Sequence, residues 1–322
     1  MEIKFDFSNV LDKEKRFFYM GIAMIGIIGY HIYLKDIAFY DNSLKIIKIL
    51  FKYSYVGVNL FLFFSAYGLC HSFENSTLKE FYKKRFIRII PIFLIFRILE
   101  FIVFRGETIP QFLQYRLLEI TSLAIIQTPY TCPGMLSLGW FIPAIINLYL
   151  IFPLLFKLIR IINKNTVWHT VFFLLSIFWL SHILWGIPIH ALYISRLPII
   201  FTGIITYFYI KDRKYTELFL IYALFASMTF FMERNNLRLS CVVPLILYAI
   251  NMYNFKFNPS FFKYISGIGK LSLEFYLAHC SAFILHFDNI LYTWINTLIL
   301  TACIGYILHI INKKVSKYFL KL

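Results

Sequence analysis

The feature that most constrains this chain is an apolar run long enough to cross a bilayer, repeated along the sequence and separated by short polar, basic segments. A helix rises 1.5 Å per residue, so about 20 residues span a hydrocarbon core of roughly 30 Å. Ten runs approach that length, at approximately 16–34, 53–73, 86–104, 138–158, 167–187, 195–211, 215–232, 238–254, 270–287 and 289–312. Composition agrees: 60% of the 322 residues are hydrophobic and 15% charged, against roughly 25% charged in a soluble domain. An eleventh segment, about 111–127, is interrupted by Gln111, Gln114, Arg116 and Glu119 and reads as an interfacial or re-entrant helix. No internal repeat or low-complexity linker divides the chain. The expectation is an all-α polytopic membrane protein of about ten transmembrane helices, with residues 1–322 forming one integral membrane domain.

Orientation follows from Lys and Arg, which concentrate in cytoplasmic loops. Twenty-two of the 32 basic residues fall on the side that holds both termini and the even-numbered loops; nine fall on the other side, and Arg97 lies within a run. Both termini are therefore expected in the cytoplasm. The net charge of +16 is mostly this bias. It calls for no nucleic-acid partner, since no soluble basic domain is present to bind one. The first run continues into Tyr30, His31, Tyr33, Lys35 and Asp36 rather than a small-residue cleavage site, so it reads as a retained helix and not a signal peptide.

Five cysteines are scattered without a Cys-x-x-Cys pair, the pattern of neither a disulfide framework nor a zinc site. Cys70 beside His71 is either a thiol–imidazole acyl relay or a small buried cysteine next to an interface histidine.

Ionisable residues inside spans are costly and usually face a cavity or a partner helix. His31, in MGIAMIGIIGYHIY, lies 15 residues beyond Arg16, or about 22 Å up a helix. That places it in the outer half of the membrane. A neutral imidazole there serves either as a general base or as a structural hydrogen-bond partner of a neighbouring helix. His279 and His286 lie seven residues apart on one helix face and suit a proton relay; no His-x-x-x-His or Glu-x-x-His spacing supports a metal. In FYKKRFIRIIP, Arg85 and Arg88 are neighbours on one face if helical. Two guanidinium forks, with Lys83 and Lys84 beside them, suit the phosphates of a cytoplasmic ligand such as a nucleotide or coenzyme A. Plain anchoring at the inner interface accounts for them equally well. The run YVGVNLFLFFSAYGLCHS carries Ser65, Gly68 and Ser72 among aromatic residues, which close helix packing would explain.

In their order, these segments resemble the acyltransferase-3 family of integral membrane acyltransferases. The resemblance rests on the helix ending in His31, on GVNLFLFFSAYGL, on the Arg-x-x-Arg of YKKRFIRIIP, and on LGWFIPAIINLYLIFPLL, SRLPIIFTGI and LSLEFYLAHC. It covers essentially the whole chain. It implies a multi-pass protein of a bacterial inner (plasma) membrane that carries an acyl group from cytoplasmic acyl-CoA to a sugar hydroxyl. The acceptor is a surface or secreted glycan or its lipid-linked precursor, the acyl group acetyl, and acyl-CoA a co-substrate rather than a tightly bound cofactor. By position, His31 resembles the family's catalytic histidine, and Arg85 and Arg88, with Lys84, its donor-binding motif. Two positions depart from the family pattern. Met20 stands where a basic residue is common, with Arg16 one turn earlier, and Ser65-Ala66 stands for a Ser-Gly pair, with Gly68 two residues on. Glu274 and His279 become candidates to orient groups or relay protons; Trp140 and Arg196 line the acceptor side or simply pack and anchor. The alternative class is a secondary transporter or lipid-linked glycan flippase, in which intramembrane His and Glu couple protons. The matching broken helices common in such proteins are not visible.

Overall fold

The computed structural model describes residues 12–35, 45–104, 108–120, 141–163, 167–184, 196–227, 230, 235–252, 258–282 and 290–321. Among them the secondary structure is helical, without a strand. The helices are α1 (Lys13–Lys35), α2 (Lys45–Tyr53), a 3-10 turn (Ser54–Val56), α3 (Gly57–Glu74), α4 (Leu78–Phe104), α5 (Ile109–Ile120), α6 (Phe141–Asn163) and α7 (Val167–Leu184). They continue with α8 (Leu197–Lys211), α9 (Tyr215–Ser227), α10 (Asn235–Met252), α11 (Pro259–Lys270), α12 (Ser272–Ala282) and α13 (Ile290–Lys321). Each of the ten apolar runs coincides with a helix, and α5 falls on the interrupted segment. Among the described residues, four helical stretches are long and apolar enough to cross a membrane: Lys13–Leu34, Lys48–Glu74, Phe141–Asn163 and Ile295–Phe319. Shorter apolar helices accompany them. The protein is an all-α polytopic membrane protein.

Local chemistry explains where the helices begin. Asp12 Oδ1 accepts the Lys15 amide at 2.8 Å and starts α1. At α4, Thr77 and Glu80 form a reciprocal capping box, Thr77 N–H to Glu80 Oε2 at 3.0 Å and Glu80 N–H to Thr77 Oγ1 at 3.3 Å. These bonds to the carboxylate hold Glu80 below its ordinary pKa, the Thr77 backbone amide contributing most. Asn258 Oδ1 accepts the Ser260 and Phe261 amides before Pro259 opens α11. Two helices were not expected from hydropathy: α2 and α11 are short, basic and amphipathic. Pro91, Pro153 and Pro244 sit inside α4, α6 and α10, a placement that membrane helices tolerate.

The chain forms two compact units interleaved in sequence. The first comprises Met1–Tyr30, Ile49–Glu74 and Pro153–Lys270. Lipid is as apolar as a leucine side chain, so helices here associate through close packing rather than hydrophobic transfer. Glycines mark the closest approaches. A Cβ at Gly269 would lie 1.8 Å from the Phe17 carbonyl oxygen, and one at Gly21 would lie 2.0 Å from that of Ile265. Helices α1 and α11 therefore cross backbone to backbone. A Cβ at Gly203 would meet the Phe63 carbonyl at 2.5 Å, which brings α8 equally close to α3. Helices α9 and α10 pack on each other and on α8; the Phe219 and Tyr248 rings meet at 5.4 Å and the Tyr222 hydroxyl bonds Thr206.

The second unit comprises His31–Lys48, Asn75–Phe152 and Leu271–Leu322. Here α12 and α13 pack along each other and on α4. A Cβ at Gly305 would lie 2.3 Å from the Phe275 ring. The first half of α4 packs on α6: Tyr82 donates to the Leu150 carbonyl at 2.9 Å, and the Phe81 and Phe152 rings stack at 5.7 Å. Within α4 the Arg97–Glu100 pair, 2.9 Å apart, is buried. Three residues is one helical turn, so the two side chains meet without distorting the helix.

Candidate active site

The histidine inside the first run is brought beside a second one. The His31 ring, half-buried near the end of α1, lies 5.1 Å from the ring of His279 on α12. His279 is fully buried. Its Nδ1 bonds the Tyr276 carbonyl one turn back, and a carbonyl oxygen can only accept. Nδ1 therefore carries a proton and donates it. The Tyr276 ring flanks His279 at 5.2 Å and is itself flanked by Phe141 at 5.0 Å. The two rings are close enough for one imidazole to orient the other. His31 is the more accessible member and suits a general base; His279 suits a positioning or relay partner.

The expected donor-side cations lie in the same unit. Arg85 is half-buried over the Phe81 ring, its guanidinium carbon 5.8 Å from the centroid, while Lys84 and Arg88 are exposed. Both arginines act electrostatically on Tyr149 of α6. Glu274 is buried on α12, where it accepts Asn312 Nδ2 of α13 at 2.7 Å and stands 3.5 Å from His309 Nδ1. It ties α12 to α13 rather than meeting His279.

In the first unit the two departures from the family pattern meet. The Arg16 guanidinium lies over Tyr67, 5.8 Å from the ring centroid, and a Cβ at Gly68 would come within 2.8 Å of its Nη1. The Arg16 side chain thus occupies space that Gly68 leaves open. Ser65 is half-buried on α3, and among the described residues no hydrogen bond joins it to another candidate. Cys70 is buried, its thiol turned back to the Ala66 carbonyl at 3.3 Å; that bond fits the small buried cysteine, while His71 packs edge-on to Tyr207 at 4.7 Å. Arg196, at the start of α8, is buried and donates to Asn59 Oδ1 of α3. Tyr30 and Tyr55, whose rings meet at 5.4 Å, act electrostatically on it. Trp140 and His286 lie outside the described residues.

Sequence reading missed Asn59 and Tyr149. Asn59 carried a signal: it is a lone amide in the apolar run GVNLFLFF. Tyr149 carried none, because nothing in IINLYLIFP distinguishes an arginine-facing tyrosine from a lipid-facing one.

Among the described residues the protein is helical, with a histidine pair on α1 and α12 and an Arg-x-x-Arg on α4. A family model described as an acyltransferase domain, acyltransferase-3, matches residues 21–311. That is nearly the whole chain, and the protein belongs to this family of membrane acyltransferases. No curated protein and no solved structure matches the chain.

Proposed function

We propose that this acyltransferase moves an acyl group, acetyl in the first instance, from cytoplasmic acyl-CoA to a sugar hydroxyl of an envelope glycan or its lipid-linked precursor. The observation that carries the reading is the His31–His279 pair at 5.1 Å inside a chain of acyltransferase type. His31 removes the hydroxyl proton as the oxygen attacks the thioester carbonyl. The tetrahedral intermediate collapses, the C–S bond breaks, and the coenzyme A thiolate takes the proton back from the imidazole. Transfer through an acyl-imidazole on His31 uses the same residue in two steps. His279 acts through His31, as a positioning residue.

Arg85, Arg88 and Lys84 hold the donor. A planar guanidinium fork matches phosphate oxygens in two parallel bonds, and the coenzyme carries several phosphates. The bias of basic residues toward the side of both termini supports placing that end of α4 in the cytoplasm of a bacterial inner membrane. The test supplies acetyl-CoA, labelled in the acetyl group, to membranes that contain the protein and its native glycans. Label should appear in base-labile ester on the glycan. A lack of label from acetyl-CoA and succinyl-CoA alike contradicts the donor assignment.

A further inference from the structure

Arg196 is 3% exposed and Asn59 is 0% exposed, both within the first unit. A buried guanidinium is expected to have a carboxylate or a full set of hydrogen-bond acceptors. Arg196 has neither among the described residues: Asn59 Oδ1 engages Nη1, and the other groups acting on its charge are the hydroxyls of Tyr55 and Tyr30. Among the described residues the Nε–H is buried without a hydrogen-bond partner, and so is the Nδ2 of Asn59. Asn59 uses the Nη1 end of the guanidinium, whereas a carboxylate or phosphate is gripped in two parallel bonds along the Nε–Nη2 edge. Among the described residues, a buried guanidinium edge and a buried amide N–H are thus left without acceptors, and no carboxylate supplies negative charge beside them.

We infer that Arg196, Asn59, Tyr30 and Tyr55 form a buried oxyanion subsite that takes the carboxylate or phosphate of an anionic acceptor. The inference rests on the proposed function for the word acceptor. On the proposed orientation the residues lie at the ends of α1, α3 and α8 that face the exterior. Two sources share this chemistry, a uronic acid in the glycan and the phosphate of a lipid-linked sugar. The ligand supplies the missing negative charge and satisfies Nε and Nδ2 together. A neutral glycan has nothing to offer this site.

The test is unfolding of the purified full chain in mild detergent at fixed ionic strength, with no acyl donor present. Inorganic phosphate and glucuronate are titrated separately, with glucose as the neutral control. One or both anions should raise the unfolding midpoint saturably by a few degrees, as ligand binding to the native state requires. If one anion acts at lower concentration than the other, it identifies the source the site prefers; equal action assigns the site to oxyanions of both kinds. Asn59→Asp places a carboxylate of the same size against Arg196; it should abolish the shift and raise the midpoint without any anion. Arg196→Lys keeps the charge but loses the fork, and should move the titration about tenfold toward higher anion concentration. Absence of a shift in the wild type, or an equal shift in Asn59→Asp, overturns the subsite. Because no acyl donor is used, either result leaves the acyl-transfer reading to be decided by its own assay.

Discussion

Arg97 and Arg196 are buried to almost the same extent, 4% and 3% exposed, yet the protein treats them differently. Arg97 lies over the Phe93 ring, 5.2 Å from its centroid, and meets Glu100 one turn along the same helix. Its charge is balanced inside α4. Arg196 has an amide and two phenols around it and no carboxylate among the described residues. A chain able to place Glu100 beside Arg97 had the same chemical means available for Arg196. The comparison separates polar groups whose charge is answered by a neighbouring side chain, which hold the fold, from those for which a ligand is proposed above. Glu274 with Asn312 and Glu74 with Lys211 belong to the first group. The guanidinium edge of Arg196 belongs to the second group, and the proposed function assigns the His31–His279 pair a ligand as well.

If that division is right, damage to the first group should appear as lost stability and damage to the second as lost function. The largest effect outside the histidine pair should follow replacement of both Arg85 and Arg88 by Gln. Two charge-assisted bonds are lost, at roughly 1.5 kcal/mol each, or about 100-fold in acyl-CoA affinity. A binding isotherm for coenzyme A measures it, and an unchanged isotherm breaks the assignment of these cations to the donor. Glu100→Gln should cost about 3 kcal/mol of stability, because it strands a buried guanidinium. Transfer per folded molecule should stay near wild type; normal stability with lost transfer would move Glu100 to the functional group. Glu74→Gln should be the mildest. Lys211 is half-exposed, so solvent screens the pair, and the unfolding midpoint should change by less than about 1 kcal/mol equivalent.

Much of the fold was legible from hydropathy, because lipid imposes length and apolarity on each span. The ten runs mark ten helices, and the polar interruptions of residues 111–120 fall on α5. Helices α2 and α11 escaped because 9 and 12 residues of mixed polarity average to a loop in a span-length window. Their starting signals were present in retrospect: Asn258 followed by Pro259 is a cap with a proline at the first helical position. In KIIKILFKY, the lysines at 45, 48 and 52 recur at helical spacing. At the site, His31 stood out as a lone imidazole in an apolar helix. His279 stood out as well, as a histidine sharing a helix face with His286, but its pairing with His31 did not, since that contact is tertiary and no spacing in sequence encodes it. The match of Arg16 to Gly68 was hidden for the same reason: each residue alone is a departure from a pattern, and only packing shows that they fit each other.

The central claim is that His31 is the base of an acyl transfer. The direct measurement compares wild type, His31→Ala and His279→Ala in membranes containing the native glycan, with labelled acetyl-CoA and equal amounts of folded protein. The account predicts loss of about 100-fold or more in base-labile glycan label for His31→Ala. It predicts a smaller loss for His279→Ala, with a changed pH profile, because that ring acts through His31. Equal label in wild type and His31→Ala would contradict the account.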